Sequence, residues 1–348
     1  MNQPACADPR RDELTRWLKD EIAIDSIRIE PASADASFRR YFRATVPGRS
    51  MIVMDAPPER EDLAPYLAVA GMLADIGLNV PRVLARDLRR GYLLLTDLGQ
   101  RQYLDELRHG GDAAALYGDA IRALARMQAG GAQAARHLPP YDAALLHREM
   151  ELLPEWFLGR HLQAPPAAAE RSLLDATFGL LAGEALAQPQ VFVHRDFHSR
   201  NLMLCPGVNP GILDFQDAVR GAVSYDLVSL LKDCYIVWPR ERVLGWLRDF
   251  RREAAALGVD VGPDEATFVR WFDRMGAQRH IKVLGIFARL YYRDGKAGYL
   301  ADLPRVLDYL LDVTAADAEL AAFDGWLRSR VVPRFAAAQA RTAGAPPA

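Results

Sequence analysis

Lysine is nearly missing from this chain: of 43 basic residues only Lys19, Lys232, Lys282 and Lys296 are lysines, and the rest are arginine. A high alanine content goes with the same compositional bias, but the shortage matters wherever a lysine is expected and not found. Cysteine is scarce too. Cys6, Cys205 and Cys234 are scattered, odd in number and without metal-ligand spacing, which argues against a disulfide framework and a zinc site. No apolar run is long enough to span a bilayer. Met1–Asp20 has no apolar stretch behind its charges, so no secretory leader is expected there, and the protein is expected in the cytoplasm. A formal net charge of −2 gives no electrostatic case for nucleic acid or a membrane surface. No internal repeat is visible, and nothing points to a particular protein partner.

What is present is ordinary for a globular chain: 348 residues, half of them hydrophobic and a quarter charged, enough for two lobes with a sizeable core. Residues 9–22 read as an amphipathic helix with Leu14, Trp17 and Leu18 on one side. A loop of small residues, Ala32 to Ser37, leads into a β-hairpin around "PGRS". A helix follows and stops near Gly77 and Pro81. Two more strands end at "YLLLTDLG". Beyond Gly99 the pattern is mostly helical, with a bend expected at Pro154 and short strands at "VFVH", "LMLC" and "GILDF". The fold class is therefore α+β: an N-terminal lobe (1–98) with an antiparallel sheet and one main helix, a large helical C-terminal lobe (99–335), and a flexible tail (336–348).

Two neighbouring stretches carry chemistry. "VFVHRDFHSRNLML" places His194, Arg195, Asp196 and Asn201 in the H-R-D-x-x-x-x-N spacing of a kinase catalytic loop, and "GILDFQDA" follows with Asp214 after an apolar strand. A phosphoryl acceptor hydroxyl needs a carboxylate to orient it and take its proton, which Asp196 supplies. The transferring phosphate of ATP needs Mg²⁺, for which Asn201 and Asp214 offer an amide and a carboxylate oxygen. The alternation of His194, Asp196 and His198 also permits a metal-hydrolase reading, but the remaining histidines are too dispersed to complete a ligand set.

With these motifs the chain resembles the aminoglycoside phosphotransferase and choline kinase group, which shares the bilobal protein-kinase-like fold. Within it, "DASFRRYFR", "VMDAPPE", "LLLTDLG", "HRDFHSRNLM", "LDFQDA" and "QRHIKVLGIFARLYYRDGKAGYL" are most similar to bacterial anomeric N-acetylmuramate/N-acetylglucosamine kinases of cell-wall recycling. The resemblance implies ATP and Mg²⁺ as cofactors and a small amino sugar as acceptor. It implies adenine on backbone groups of Thr96, Asp97 and Leu98. It also implies that Asp226 in "SYDLVSLLKD" braces the catalytic loop, with His194 a structural member of it. Another small acceptor (an aminoglycoside or amino alcohol), or a nucleotide-binding pseudokinase, is the alternative.

The sequence departs from the kinase pattern in three features that would serve the phosphates. "PASADASFRR" has no glycine, and the strand position expected to hold the phosphate-binding lysine falls at about Met54. The helix that should carry its glutamate partner has no acid between Asp62 and Asp75. Ser37 and one of Arg39, Arg40 and Arg43 are the candidates to meet the phosphates instead. For the acceptor, the helical lobe offers Glu149, Trp156, Arg279 and His280.

Overall fold

A computed structural model of the chain describes residues 8–24, 26–34 and 38–342. In chain order the strands are β1 (Arg28–Ala34), β2 (Arg40–Val46), β3 (Arg49–Asp55), β4 (Val83–Asp87), β5 (Tyr92–Thr96), β6 (Gln190–Val193), β7 (Leu202–Met203), β8 (Gly211–Ile212) and β9 (Val219–Ala222). The α-helices are α1 (Pro9–Ile22), α2 (Ala64–Asp75), α3 (Tyr103–Arg108), α4 (Ala113–Gly130), α5 (Ala143–Met150), α6 (Ala168–Ala187), α7 (Tyr225–Leu231), α8 (Arg240–Ala256), α9 (Glu265–Tyr292), α10 (Leu303–Ala316), α11 (Ala321–Trp326) and α12 (Val332–Thr342). They form two compact units, Met1–Gln102 with Leu202–Asp217, and Tyr103–Asn201 with Ala218–Ala348.

The first unit is built on one antiparallel sheet in the order β1-β2-β3-β5-β4. The β2–β3 hairpin turns at Gly48, whose φ of 79° suits a residue without a Cβ. Strand alternation sends Phe42, Ala44 and Val46 to one face, where they pack with Leu14, Trp17 and Leu18 of α1. Pro31 is tolerated because β1 is an edge strand, and the pairing slips between Pro31 and Ser33. The segment expected as a loop from Ala32 is therefore strand through Ala34, and residues 35–37 lie outside those described.

A cut at Leu98 would give 99–102 and 202–217 to the helical part. Pairing assigns them to the sheet unit instead: the Leu204 amide donates to the Arg101 carbonyl at 2.7 Å, and the Ile212 amide to the Asn79 carbonyl at 2.8 Å. Short strands such as β7 and β8 cannot satisfy their own backbone groups and borrow partners from whatever lies beside them.

The second unit is helical around α9, a 28-residue helix that packs against α6, α7 and α10. The bend expected at Pro154 is a π-helical stretch, Leu153–His161, which also runs along α9. Gly285 makes that crossing possible, because a Cβ there would sit 2.3 Å from the Leu152 carbonyl carbon. β6 pairs with β9, so that the chain leaving β6 at Val193 enters the His194–Asn201 loop from a fixed direction. The segment expected as a loose tail from residue 336 is helical to Thr342, with Ala338 buried, and 343–348 lie outside the described residues. No helix among the described residues is long and apolar enough to cross a membrane.

Candidate active site

In the second unit, the loop after β6 is pinned from several sides. The amides of His194 and Arg195 donate to the two carboxylate oxygens of Asp226, at 2.6 and 2.9 Å. Asp226 is fully buried in the first turn of α7, and burial pushes its carboxyl up to about 7 against the pull of those two amides. Arg195 has φ 77°, a conformation a side-chain-bearing residue adopts only when its surroundings impose it. The Asp196 amide then donates to His194 Nδ1 at 3.2 Å, and the Asp196 carbonyl accepts from the His198 amide at 3.0 Å and from Asn201 Nδ2 at 3.0 Å. The same side chain carries an amide oxygen, the kind of hard donor that suits Mg²⁺. The second half of the loop is anchored through the Ser199 amide, 3.0 Å from Asp233.

Beneath Arg195 lies a buried ionic cluster. Glu149 of α5 accepts from the Arg195 guanidinium, from the Tyr141 hydroxyl and from Lys282 Nζ at 2.9 Å. Lys282 and Arg279, both on α9, also donate to the Tyr225 hydroxyl, at 3.1 and 3.0 Å. Burial raises the cost of ionising Glu149, yet Lys282 and Arg195 outweigh it and hold the carboxyl below its usual value. Asp196 follows the same balance. Burial opposes its charge, but Arg279, His198, Lys282 and Arg195 together keep it below the ordinary carboxylate range, so it is a carboxylate at neutral pH. Its side chain remains about 40 % exposed, whereas the cations around it are almost covered.

Of the acceptor candidates, Glu149, Arg279 and His280 are 7 %, 5 % and 0 % exposed and are held by contacts within the helical unit. His280 stacks on Tyr309 at 5.0 Å and faces the Lys232 carbonyl. Burial, with Lys232 next, holds its pKa down to about 3, which keeps the ring neutral. Trp156 is half-buried on the π-helical stretch and is the most exposed member of the set. Among the described residues no group of three or more His, Cys, Asp or Glu side chains is arranged to hold a metal ion.

In the first unit, Asp214 follows β8 with φ 62°, and its Oδ1 accepts from Gln216 Nε2 at 2.7 Å. Phe215 is fully buried and packs on Tyr66 of α2, ring centroids 4.9 Å apart, which locks the turn that presents Asp214. Of the three candidate phosphate arginines, two are committed elsewhere. Arg40 joins Arg10 in neutralising Asp55, which is 0 % exposed and cannot stand unpaired. Arg43 bonds Asp97 at 2.6 Å and the Gly99 carbonyl at 2.8 Å, tying the hairpin to the end of β5. Burial resists the Asp97 charge, and Arg43 overrides it, lowering the carboxyl pKa. Arg39 pairs with Glu61 at 3.6 Å. Burial drives the Tyr66 hydroxyl pKa upward, Tyr41 and Asp214 add to that and Arg39 opposes it. Thr96 Oγ accepts from the Arg82 amide at 2.9 Å and so serves the sheet edge; Leu98 offers its carbonyl to Cys205 at 3.3 Å. Ser37 lies outside the described residues.

A missed residue had a signal in the sequence. Asp233 closes the stretch "SYDLVSLLKD" two residues beyond the end of α7, where its carboxylate accepts from the Ser199 amide at 3.0 Å. The roles of Glu149 and Arg279 had none, because periodicity gives a face and not a depth.

A bilobal assembly of an antiparallel sheet unit and a helical unit, with the H-R-D and Asp-Phe stretches on its loops, defines the class of small-molecule kinases, and comparison with known proteins agrees. The pattern of the phosphotransferase enzyme family matches residues 28–267, and the chain belongs to that family. A curated N-acetylmuramate/N-acetylglucosamine kinase of Pseudomonas aeruginosa is 48 % identical over 332 residues, covering 92 % of this chain and 97 % of that protein. One of Neisseria meningitidis serogroup B is 45 % identical over 316 residues, covering 90 % and 93 %. Among solved structures, a Plasmodium vivax ethanolamine kinase superposes with a TM-score of 0.63 at 11 % identity, over 88 % of this chain and 90 % of that one, a likeness of fold.

Proposed function

We propose that this enzyme transfers the γ-phosphoryl group of ATP to the anomeric hydroxyl of N-acetylmuramate or N-acetylglucosamine, giving the sugar 1-phosphate, a step of bacterial cell-wall recycling. The observation that carries the phosphoryl-transfer reading is Asp196: an ionised, partly exposed carboxylate at the tip of a loop whose backbone is otherwise fixed. The choice of sugar is supported by the names of relatives that match more than nine-tenths of their own length.

In this reading Asp196 orients the acceptor hydroxyl and takes its proton as the oxygen attacks phosphorus. Asn201 and Asp214 would hold Mg²⁺, for which an amide and a carboxylate oxygen are apt donors. When bound, the ion offsets charge on the phosphate oxygens. Arg39, with Glu61 as counter-charge, replaces the lysine–glutamate pair of the kinase pattern at the phosphates. Adenine bonds to backbone groups of Thr96–Leu98, and Trp156 offers an aromatic face to the sugar. Catalysis is then positioning plus electrostatics.

Asp196→Asn is expected to lower kcat by on the order of a thousandfold while ATP still binds, and Asp214→Ala to lose the metal-dependent part of nucleotide affinity. Calorimetric titration of ATP with and without Mg²⁺, alongside turnover, separates the two roles. Full turnover in either variant contradicts the assignment.

A further inference from the structure

The peptide plane between Arg195 and Asp196 is held at both edges. Its N–H, on Asp196, donates to His194 Nδ1 at 3.2 Å. Its carbonyl, on Arg195, accepts from Arg279 Nη1 at 3.0 Å. Because a peptide unit is rigid, fixing both edges fixes the direction in which the Asp196 Cα leaves it. The same guanidinium faces the Asp196 carboxylate, Nη2 to Oδ1 3.8 Å, and is steadied by the Tyr225 hydroxyl at 3.0 Å. Arg279 is 5 % exposed. A buried arginine carries a desolvation cost that a neutral donor bonding the same carbonyl would avoid, so its charge and its planar fork call for an explanation beyond hydrogen bonding.

The amide side of this turn is braced by Asp226, as the sequence implied; its carbonyl side is braced from α9, which no motif in the loop announces. We propose that Arg279 is a positioning residue for Asp196: by gripping the Arg195 carbonyl and facing the Asp196 carboxylate, it sets both where the base stands and which way it points. The inference rests on the reading of Asp196 as the base.

The left-handed backbone at Arg195 makes this grip consequential. With φ at 77°, the turn relaxes toward an ordinary conformation once its carbonyl loses the 3.0 Å bond from Arg279 and keeps only the long one from Ser229 Oγ at 3.5 Å, and the base swings with it. A displacement of about an ångström at a reacting group costs on the order of a hundredfold in rate. In the proposed reading, adenine rests on Thr96–Leu98 and the phosphates on Arg39, none of which touches that plane, so the loss is expected mainly in turnover.

The test is steady-state kinetics on full-length Arg279→Met and Arg279→Lys, with Arg274→Met as the control. Arg274 lies on the same helix with a 6 % exposed side chain, and it is ion-paired to Asp317, Glu184 and Glu319, none of them in the loop. Arg279→Met should lower kcat on the order of a hundredfold with KM for ATP within about twofold, Arg279→Lys should recover part of kcat because an ammonium reaches one acceptor at a time, and Arg274→Met should lose stability without that split. Should Arg279→Met fail to fold, Arg279→Lys alone decides: a kcat within about twofold of the parent overturns the inference, and a tenfold or larger loss at unchanged ATP KM supports it. Equal, proportionate losses of kcat and ATP binding in the Arg279 and Arg274 variants also overturn it, since that is what a merely structural arginine gives. Asp196→Asn is run alongside. If it keeps its turnover, the base assignment itself is wrong; if it is inactive while Arg279→Lys is normal, only the positioning role is lost.

Discussion

At the scale of single residues, the site consists of a few groups whose charge is set by what is buried beside them. Glu149 is the clearest case, because two cations and a tyrosine hydroxyl converge on it inside the protein. Glu149→Gln leaves Arg195 and Lys282 without their counter-charge, and removing one partner of a buried ion pair costs about 3–5 kcal/mol. Urea unfolding should report a loss of that order, together with reduced turnover, because Arg195 belongs to the catalytic loop. An unchanged midpoint contradicts the account of the cluster. Much at this scale was legible in the sequence. Asp196, Asn201 and Asp214 could be named from spacing, because a kinase loop needs those groups at those separations, and Asp226 from the resemblance of its stretch to the family. Arg279 and His280 were named from residue type on a helix, which gives a face and not a depth.

At the scale of elements, propensity and pattern located α1, the hairpin, α2, the two strands that end at Thr96 and the short strands β6, β7 and β8, whereas tertiary packing decided their partners and the local geometry. The π-helical stretch at Leu153–His161 shows why: proline there removes a backbone donor, and the chain widens its turn instead of breaking. That widened stretch meets α9 at Gly285. Gly285→Ala puts a methyl group within 2.3–2.5 Å of Leu152 main-chain and Cβ atoms, so neither side can yield by rotating a side chain. Overpacking of this kind costs about 1–3 kcal/mol, and an alanine scan of exposed α9 positions provides the baseline. A thermal midpoint equal to the parent's means the two elements do not cross as described. β7 and β8 were visible as short apolar runs, but their partners Asn79 and Arg101 are remote in sequence, so the unit they join could not be read from the chain alone.

At the scale of the whole molecule, pH links several buried groups. Burial, then Arg341, holds the His161 pKa down to about 4, and His280 lies at about 3, so both rings stay neutral in the folded state. Between pH 6.5 and about 4 the unfolded chain takes up protons at these two sites that the folded chain refuses, and folding loses about 1.4 kcal/mol per pH unit for each. Asp226 acts the other way. Its folded pKa of about 7 lies above the unfolded value, so it contributes stability as pH falls toward that value. For these three groups two losses against one gain leave a net fall of about 1.4 kcal/mol per unit from pH 6.5 to 5; burial also lowers His198, which adds to the fall, and raises Asp302, which opposes it. Denaturant midpoints at those two pH values should show it, and His161→Gln should flatten it; a parent protein equally stable at both contradicts these assignments.

The central claim concerns the whole enzyme: a family member whose Asp196 directs phosphate to an anomeric oxygen. The most direct measurement is ³¹P NMR of the product formed from Mg-ATP and N-acetylglucosamine or N-acetylmuramate, with the 1-deoxy sugars and a panel of aminoglycosides and amino alcohols run in parallel. The account predicts a phosphate coupled to the anomeric proton with the parent sugars and no transfer to the 1-deoxy analogues. A phosphorylated 1-deoxy sugar, or turnover confined to an aminoglycoside or amino alcohol, would contradict it.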